Sequence, residues 1–496
     1  MRFSFVRKAA ITIVLVGLFD RLFPYGFSGA VIGGFAGAWL VGVVLGRADV
    51  RRDRRAWYAL ALAGVFSVAL IDDPGSLSWA LFWCALSIAA LMPRTGRFDD
   101  AWHWAARLGL HAVSGIVTPI ADVSRSLRAR RGVRHSPGAV AAILALPLIG
   151  GGLFIALFAA ANPVIAQVLA AIQLPSIVQM LVWALVATCL WPSLRPHSLV
   201  TRLAARLPDP EPILPGTSLP SVLIALALFN GIFAVQNALD IVVLWSGGPL
   251  PAGMTQTEYV HRGAYPLIVT ALIAGVMALA MLRPGSASER HPWARRMVVL
   301  WVVQNLILVA SSAWRTIDYI STEMMTGLRL AALAWMALVA LGLILICWRI
   351  LAGRSARWLI NRNALAAFVV LAVCSFIDLG AIAAAWNVRH QSPHRVDLCY
   401  LAGLGDAALL PLIDLEHRTM DAATRDRIRH VRAQTYTDLS ARQESWTHWT
   451  ARGARRLVTA NAMLGPDPAH PSALPDGAWW NCDGSVGGAS TPAPRP

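Results

Sequence analysis

Charged residues are scarce in this 496-residue sequence, and lysine is almost absent. Only 14% of the residues are charged, 56% are hydrophobic, and the mean hydropathy is +0.56. This composition excludes the core of an ordinary water-soluble protein. The formal net charge of +16 comes from arginines in short gaps beside apolar runs, with Lys8 as the single lysine. We therefore expect no nucleic-acid partner and interpret the charge as a signal of membrane topology.

Motifs of well-known reactions are also missing. The sequence has no HExxH zinc-protease motif, no nucleophile elbow and no glycine-rich phosphate-binding loop. The six cysteines lack the spacing of metal ligands, and His103 and His111 are too sparse to indicate a metal site. The sequence therefore predicts no metal and no cofactor, and it defines no reaction.

About eleven apolar segments have the length and composition of membrane-crossing helices, for which about 20 residues are needed. The segments are 9–27, 29–46, 56–71, 76–92, 138–161, 175–191, 219–245, 265–282, 297–314, 328–349 and 363–387. The first is short, since Asp20 and Arg21 follow Phe19. We interpret it as an uncleaved anchor because no small-x-small cleavage site follows. The predicted fold class is all-α, a polytopic transmembrane helical bundle.

Arginine alternates in density between successive gaps. If the N-terminus is cytoplasmic, every gap on that side is basic, and the stretch 94–134 alone holds eight arginines. The opposite gaps hold only Arg21, Arg262 and Arg315. The positive-inside rule then predicts a cytoplasmic N-terminus and places the residues after 388 outside the cytoplasm. We expect a multipass protein of the bacterial inner (plasma) membrane, in contact with membrane lipids.

This topology divides the chain into five parts. They are N-terminal transmembrane hairpins (1–92), a basic cytoplasmic loop (93–137), the main transmembrane bundle (138–388), a periplasmic helical domain (395–464) and a flexible tail (465–496). The basic loop is expected to hold a helix, which either lies on anionic headgroups or only carries topogenic charge. In the periplasmic domain, helices are predicted at 415–432 and 438–464.

Two cysteines, Cys399 and Cys482, lie outside the predicted spans. A disulfide between them would suit a periplasmic compartment and would pin Trp479 and Trp480, whereas two unpaired thiols are the alternative. Tryptophans on this domain are also candidates for a surface that binds an envelope protein, because aromatic residues are enriched at binding hot spots.

Polar side chains within predicted spans are the more telling functional signal. An ionisable group inside a bilayer is costly and usually faces a bundle interior or a water-filled cavity. The candidates share one face of the seventh span, one stripe of the ninth, the outer half of the eleventh and the loop after the seventh. They are Asn230, Asn237, Asp240, Glu258, His261, Arg262, Gln304, Arg315, Asp318 and Asp378. Together they predict a polar pocket near the external face.

Transport or binding of a small polar or anionic solute is the first function that this pocket suggests. Arg262 and Arg315 would contact an anion, and Asp240, Asp318 or Asp378 would hold a proton or cation. The sequence shows no internal repeat and no paired Gly/Pro-broken spans, which many transporters have. The alternative without any ligand is that these groups satisfy one another and hold helices together.

Two other classes of function remain open. A membrane-embedded enzyme acting on a lipid-linked or envelope substrate would use Glu258, His261 or Asp240 as base and Arg262 to hold a phosphate. An assembly or sensory protein would bind its partner through the outer domain, with the spans serving as anchor.

Short blocks between 236 and 401 carry a family resemblance. The blocks are QNALD at 236–240, LPAGMT at 250–255, EYVHRGAYPL at 258–267, DY at 318–319, LRL at 328–330, WNV at 386–388 and DLCYL at 397–401. In this order they resemble the bacterial multipass membrane family catalogued as domain of unknown function four-one-seven-three, over about residues 215 to 460. The basic loop and the tail lie outside that resemblance. It implies membership in a family without an assigned activity and supplies no catalytic residues.

Overall fold

The computed structural model is almost entirely helical in the residues that it describes. These residues are 2–23, 28–129, 175–207, 218–242, 286–474 and 478–488, with scattered residues between 145 and 162 and between 269 and 281. The first helices are α1 (Arg2–Leu22), α2 (Val31–Gly46), α3 (Ala48–Arg52), α4 (Arg54–Asp72), α5 (Ser76–Thr95), α6 (Ala101–Ala129), α7 (Ile177–Leu194), α8 (Ser198–Ala204) and α9 (Leu219–Asp240). Next come α10 (Ala287–Arg290), α11 (Pro292–Thr322), α12 (Gly327–Ala352) and α13 (Ala356–Cys374). The last helices are α14 (Leu379–His390), α15 (Leu398–Gly403), α16 (Leu409–Arg418), α17 (Ala422–Glu444) and α18 (Ala451–Leu464).

Seven of the described helices are long and apolar enough to cross a membrane. They are α4, α5, α7, α9, α11, α12 and α13, and α2 is a shorter apolar helix. These helices indicate a membrane protein, and they coincide with predicted spans in the same order. The predicted spans 138–161 and 265–282 are described only in part, as scattered residues. The orientation across the membrane stays a prediction from the arginine pattern.

The spanning helices pack into two groups. Phe66 of α4 and Phe82 of α5 are buried in the first group, which also contains α1, α2 and α7. Leu226 of α9 is buried in the second group with residues of α11 and α12. Helix α13 joins the two, because Phe368 packs against the first core and Leu359 belongs to the second. In lipid, such packing is stabilised mainly by van der Waals contact between well-fitted surfaces.

A glycine allows α2 and α4 to approach closely. The Ser67 hydroxyl of α4 donates a hydrogen bond to the Gly33 carbonyl oxygen of α2 at 2.8 Å. A Cβ atom on Gly33 would lie 2.6 Å from the Ser67 carbonyl oxygen, which is too close for any side chain. Small residues permit this kind of contact between membrane helices. Replacing Gly33 with valine would therefore force the two helices apart.

Helix α6 lies within the predicted basic loop and packs against α7 and α8. Its N-terminal end is held by Arg107, which donates to both carboxylate oxygens of Asp99 at 2.6 and 2.5 Å. Further along, the buried Asp122 accepts a hydrogen bond from the Trp191 indole N–H at 3.1 Å. The predicted helix is therefore present, and contacts with α7 and α8 hold it in place.

The eleventh predicted span, 363–387, is two helices in the structure. Helix α13 ends at Cys374, and α14 begins after Asp378, whose carboxylate accepts a hydrogen bond from the Ala381 N–H at 2.8 Å. Such an N-cap satisfies backbone donors that a continuous helix would have paired internally. Helix α14 then packs with the outer helices, since Ala384 shares a core with Leu412. Helix α14 therefore packs with the helices of the predicted periplasmic domain, and we call these helices the outer domain after that predicted position.

The helices of the outer domain have different bounds from those predicted at 415–432 and 438–464. Helix α16 ends at Arg418, and Asp421 caps α17 by accepting from the Thr424 N–H at 2.7 Å. The chain then breaks again at residues 445–450, where the Thr450 hydroxyl accepts from the Gly453 N–H at 3.0 Å. Trp446 and Trp449, which fall within the predicted helix 438–464, therefore lie in this break. In each case a capping side chain sets the boundary.

The segment after Gly465, expected to be a flexible tail, contains a short antiparallel hairpin in its described part. Strand β1 (Trp479–Trp480) pairs with β2 (Val486–Gly487). Cys399 and Cys482 form a disulfide that attaches this hairpin to α15. The Trp480 ring also stacks on His430, with 4.4 Å between the ring centroids. Two-residue strands are too short to be stable alone, so these contacts explain why the hairpin is held here.

Candidate functional site

Helices α9 and α11 are joined by a row of side-chain amides. The Asn230 amide donates to the Leu226 and Met297 carbonyl oxygens at 2.7 and 3.1 Å. The Gln304 amide donates to Asn230 Oδ1 at 2.8 Å, and the Asn237 amide donates to the Gln304 carbonyl oxygen at 3.1 Å. Later residues of α9 meet later residues of α11, so the two helices run parallel. Parallel helices agree with the predicted topology, in which both cross outward.

An ion pair lies at the next level of the same interface. Arg315 of α11 is bonded to Asp240 of α9, and their side chains are only 5% and 2% exposed. The Gln236 amide also donates to Asp240 Oδ1, at 3.0 Å. The sequence left open which aspartate neutralises Arg315, and the structure pairs it with Asp240. We call Asn230, Asn237, Asp240, Gln304 and Arg315 the polar column.

Three acceptor oxygens of the polar column receive no hydrogen bond within the described part of the chain. They are Asn237 Oδ1, Asp240 Oδ2 and Gln304 Oε1, and all three are buried. Buried polar atoms in folded proteins nearly always have a partner, either protein or ordered water. The column can therefore accept hydrogen bonds from a further molecule that reaches it.

Asp318 and Asp378, the other two described candidates, are not in the polar column. Asp318 is half-buried, one turn beyond Arg315 on α11. Asp378 lies between α13 and α14 and is bonded to Arg456 of the outer domain. Burial alone would raise the pKa of the Asp378 carboxyl, but the Ala381 N–H and the charge of Arg456 hold that pKa below its ordinary value. Asp378 is thus an ionised anchor for the outer domain.

Glu258, His261 and Arg262 lie outside the described residues. The enzyme hypothesis uses Glu258, His261 or Asp240 as base, and of these three the structure describes only Asp240, which is paired with Arg315. The structure also gives no position for Arg262 relative to the polar column.

Sequence reasoning missed the contact that joins the outer domain to the bundle. Three arginines on one face of α18 meet four aspartates, and we call this set the arginine latch. It consists of Arg452, Arg455, Arg456, Asp72, Asp73, Asp378 and Asp406. The arginine spacing, at positions i, i+3 and i+4, was a visible signal of a charged face. Its partners Asp72 and Asp73 are about 380 residues away in sequence, so the pattern did not identify them.

One group of potential metal ligands is present among the described residues. The ligand atoms of Asp99, Asp100 and His103 lie within 4.8 Å of one another. Both carboxylates already have structural roles, since Asp99 is paired with Arg107 and Asp100 accepts from the His103 backbone N–H at 2.9 Å. These three side chains therefore lie close together because their hydrogen bonds hold the N-terminal end of α6.

Comparison with known proteins identifies a family without naming an activity. A family model described as "Domain of unknown function (DUF4153)" matches residues 59–415. The match includes the basic loop and the polar column, whereas the sequence resemblance had left the loop outside. The family number also differs: the motif blocks resemble the family numbered four-one-seven-three, whereas the matching model is numbered 4153. No curated protein and no solved structure matches the chain. Since the model covers well over half of the sequence, the chain belongs to the family of the domain of unknown function DUF4153.

Proposed function

We propose that this protein binds and transports a small polar solute, and that the polar column between α9 and α11 forms its site. The observation that carries this proposal is the set of three buried acceptors, Asn237 Oδ1, Asp240 Oδ2 and Gln304 Oε1, without donors in the described residues. Polar and ionisable groups within spanning helices are expensive and are commonly associated with solute or ion pathways.

Helix packing accounts for only part of the column. The amide donors of Asn230, Asn237 and Gln304 join α9 to α11, as polar side chains often do in membranes. The three acceptor oxygens add nothing to that contact, and a buried polar group without a partner costs about 1–3 kcal/mol. Apolar side chains would avoid this cost. A ligand, or water entering along its path, would supply the donors.

The charges of the column favour one kind of solute. Arg315 is already bonded to Asp240, so the pair is close to neutral and offers little net attraction to an anion. Three buried oxygens of the column that lack a donor in the described residues, Asn237 Oδ1, Asp240 Oδ2 and Gln304 Oε1, are hydrogen-bond acceptors. They favour a solute that donates hydrogen bonds, either neutral or cationic, over the anionic solute also considered from the sequence.

Osmotic flux through proteoliposomes tests this proposal. The purified full chain is reconstituted, and stopped-flow light scattering follows entry of glycerol, urea and ammonium chloride in turn. We expect at least one of these donor-bearing solutes to equilibrate faster than in empty liposomes. Gln304→Leu and Asn237→Leu should remove the difference, because each deletes an acceptor of the column.

Asn363→Leu is the matched control, since within the described residues its amide donates to the Leu359 carbonyl oxygen of its own helix, at 3.0 Å. Flux in this variant should equal that of the parent. Equal rates for parent and empty liposomes with all three solutes would overturn the proposal. So would parental flux in both column variants, because the path would then lie elsewhere.

A further inference from the structure

A basic pocket lies at the predicted cytoplasmic ends of α11 and α12, and it shares no residue with the polar column. Its lining contains four arginines and one acidic residue, Glu289. The arginines are Arg290, Arg295, Arg349 and Arg354. Arg349 is only 6% exposed and so forms part of the pocket wall. The excess of positive charge makes this pocket suitable for an anion.

Arg295 is fixed in position by the end of α12. Its guanidinium donates to the Ile350 carbonyl oxygen at 2.7 Å. Helix α12 ends there at Gly353, which has a positive φ of 62°. Cations near a helix C-terminus are favourable by themselves, so this contact alone would be explained as capping. The other arginines of the pocket exceed what one helix end requires.

An apolar furrow continues from the same arginine along the outside of α11. Its lining includes Arg295, Val299, Leu300, Val303 and Leu351. Val303 is eight residues beyond Arg295, which corresponds to about 12 Å along a helix. Leu300 and Leu351 are exposed at 52% and 65%. Since α11 is a candidate membrane span, this furrow would face the hydrocarbon region.

The boundary between the pocket and the furrow has the features of a membrane interface. Trp293 is exposed, and the Arg296 guanidinium lies over its ring, 5.4 Å from the centroid. Tryptophan is enriched at the level of lipid headgroups, and arginine side chains reach toward that level. A charged pocket and an apolar furrow therefore meet where a phospholipid has its phosphate and the start of its acyl chains.

We propose that this site binds one anionic phospholipid, with its phosphate in the pocket of Arg290, Arg295, Arg349 and Arg354 and one acyl chain in the furrow along α11. Basic pockets between membrane helices are suited to anionic headgroups. The proposal does not depend on the function of the polar column, because the two sites share no residue.

Thermal unfolding of the full chain in detergent, with added lipid, tests the proposal. Dioleoyl phosphatidylglycerol should raise the melting temperature, whereas dioleoyl phosphatidylcholine and inorganic phosphate should not. The double variant Arg290→Gln/Arg354→Gln should need about thirtyfold more phosphatidylglycerol for the same rise, since each arginine contributes about 1 kcal/mol at a membrane surface. The matched control is Arg202→Gln/Arg206→Gln, two exposed arginines on the same predicted side.

A second variant keeps the test decisive if the arginine pair is required for folding. Val303→Trp fills the furrow without removing charge and should weaken the response to phosphatidylglycerol. An equal rise with phosphatidylcholine would overturn the proposal, because the site would not select charge. An equal rise with inorganic phosphate would show a free-anion site instead. If the control variant lost its response to phosphatidylglycerol equally, the effect would come from the arginines of the predicted cytoplasmic side in general, and the proposed pocket would be excluded.

Discussion

The ion pair between Arg315 and Asp240 shows how a single buried charge constrains this bundle. Both side chains are almost completely buried. Placing two charges in a medium of low dielectric is costly, and their mutual attraction recovers that cost only while both are present. The pair is thus a poor source of stability compared with apolar residues, yet each partner depends strongly on the other.

Removing one partner should therefore harm the protein more than removing both. We expect Arg315→Ala to destabilise the bundle by about 3–5 kcal/mol, because Asp240 would remain buried without its counter-charge. The double variant Arg315→Met/Asp240→Leu should recover most of that loss. Melting temperatures in detergent give the comparison, with Asn363→Leu as a polar substitution outside the column. A single variant as stable as the parent would contradict the buried pair.

The break between α13 and α14 is the element on which the outer domain depends. Asp378 caps α14 and is bonded to Arg456, so one carboxylate both starts α14 and anchors the domain. Asn at this position would keep the cap, since it is as good an N-cap residue as Asp. It would lose the charge, which makes the substitution specific for the arginine latch.

We expect Asp378→Asn to lower stability by about 1–2 kcal/mol near neutral pH, between the values for exposed and buried ion pairs. Because the folded state holds the pKa of Asp378 below its ordinary value, its contribution is present above that ordinary value and is lost as pH falls through the folded pKa. The difference in melting temperature between parent and variant should thus shrink below about pH 4. Asp414→Asn, which removes an exposed pair with Arg418, should change little at any pH. A difference that persists in acid would exclude the charge as its cause.

The two helix breaks mark the limit of what the sequence pattern could predict. Apolar length predicted the spanning helices in order, and helical spacing placed Asn230, Asn237 and Asp240 on one face of the seventh span and Gln304 and Arg315 on one stripe of the ninth. The pattern did not predict the breaks at 375–378 and 445–450. Apolar residues continue on both sides of the first, and a single cap decides where a helix ends. Nor could it predict pairing across about 380 residues, because charge spacing identifies a face and not its partner.

At the scale of the whole molecule, the disulfide and the arginine pattern make the same prediction about the membrane. Cys399 and Cys482 are bonded in the outer domain, and disulfides persist in oxidising compartments. The positive-inside rule independently places that domain outside the cytoplasm. The four other cysteines are free thiols of the described helices, so they give an internal comparison.

Alkylation of the protein isolated from its native membrane should therefore distinguish the two sets of cysteines. With a thiol reagent under denaturing conditions, we expect Cys399 and Cys482 to be modified only after reduction, and Cys84 and Cys189 to be modified without it. Peptide mass mapping gives the result for each residue. If Cys399 and Cys482 were alkylated without reduction, the outer domain would lie in a reducing compartment, and the predicted orientation would have to be reversed. Protected cysteines would instead place α18 and its latch to Asp72 on the oxidising side, which fixes the direction in which α4 crosses the membrane.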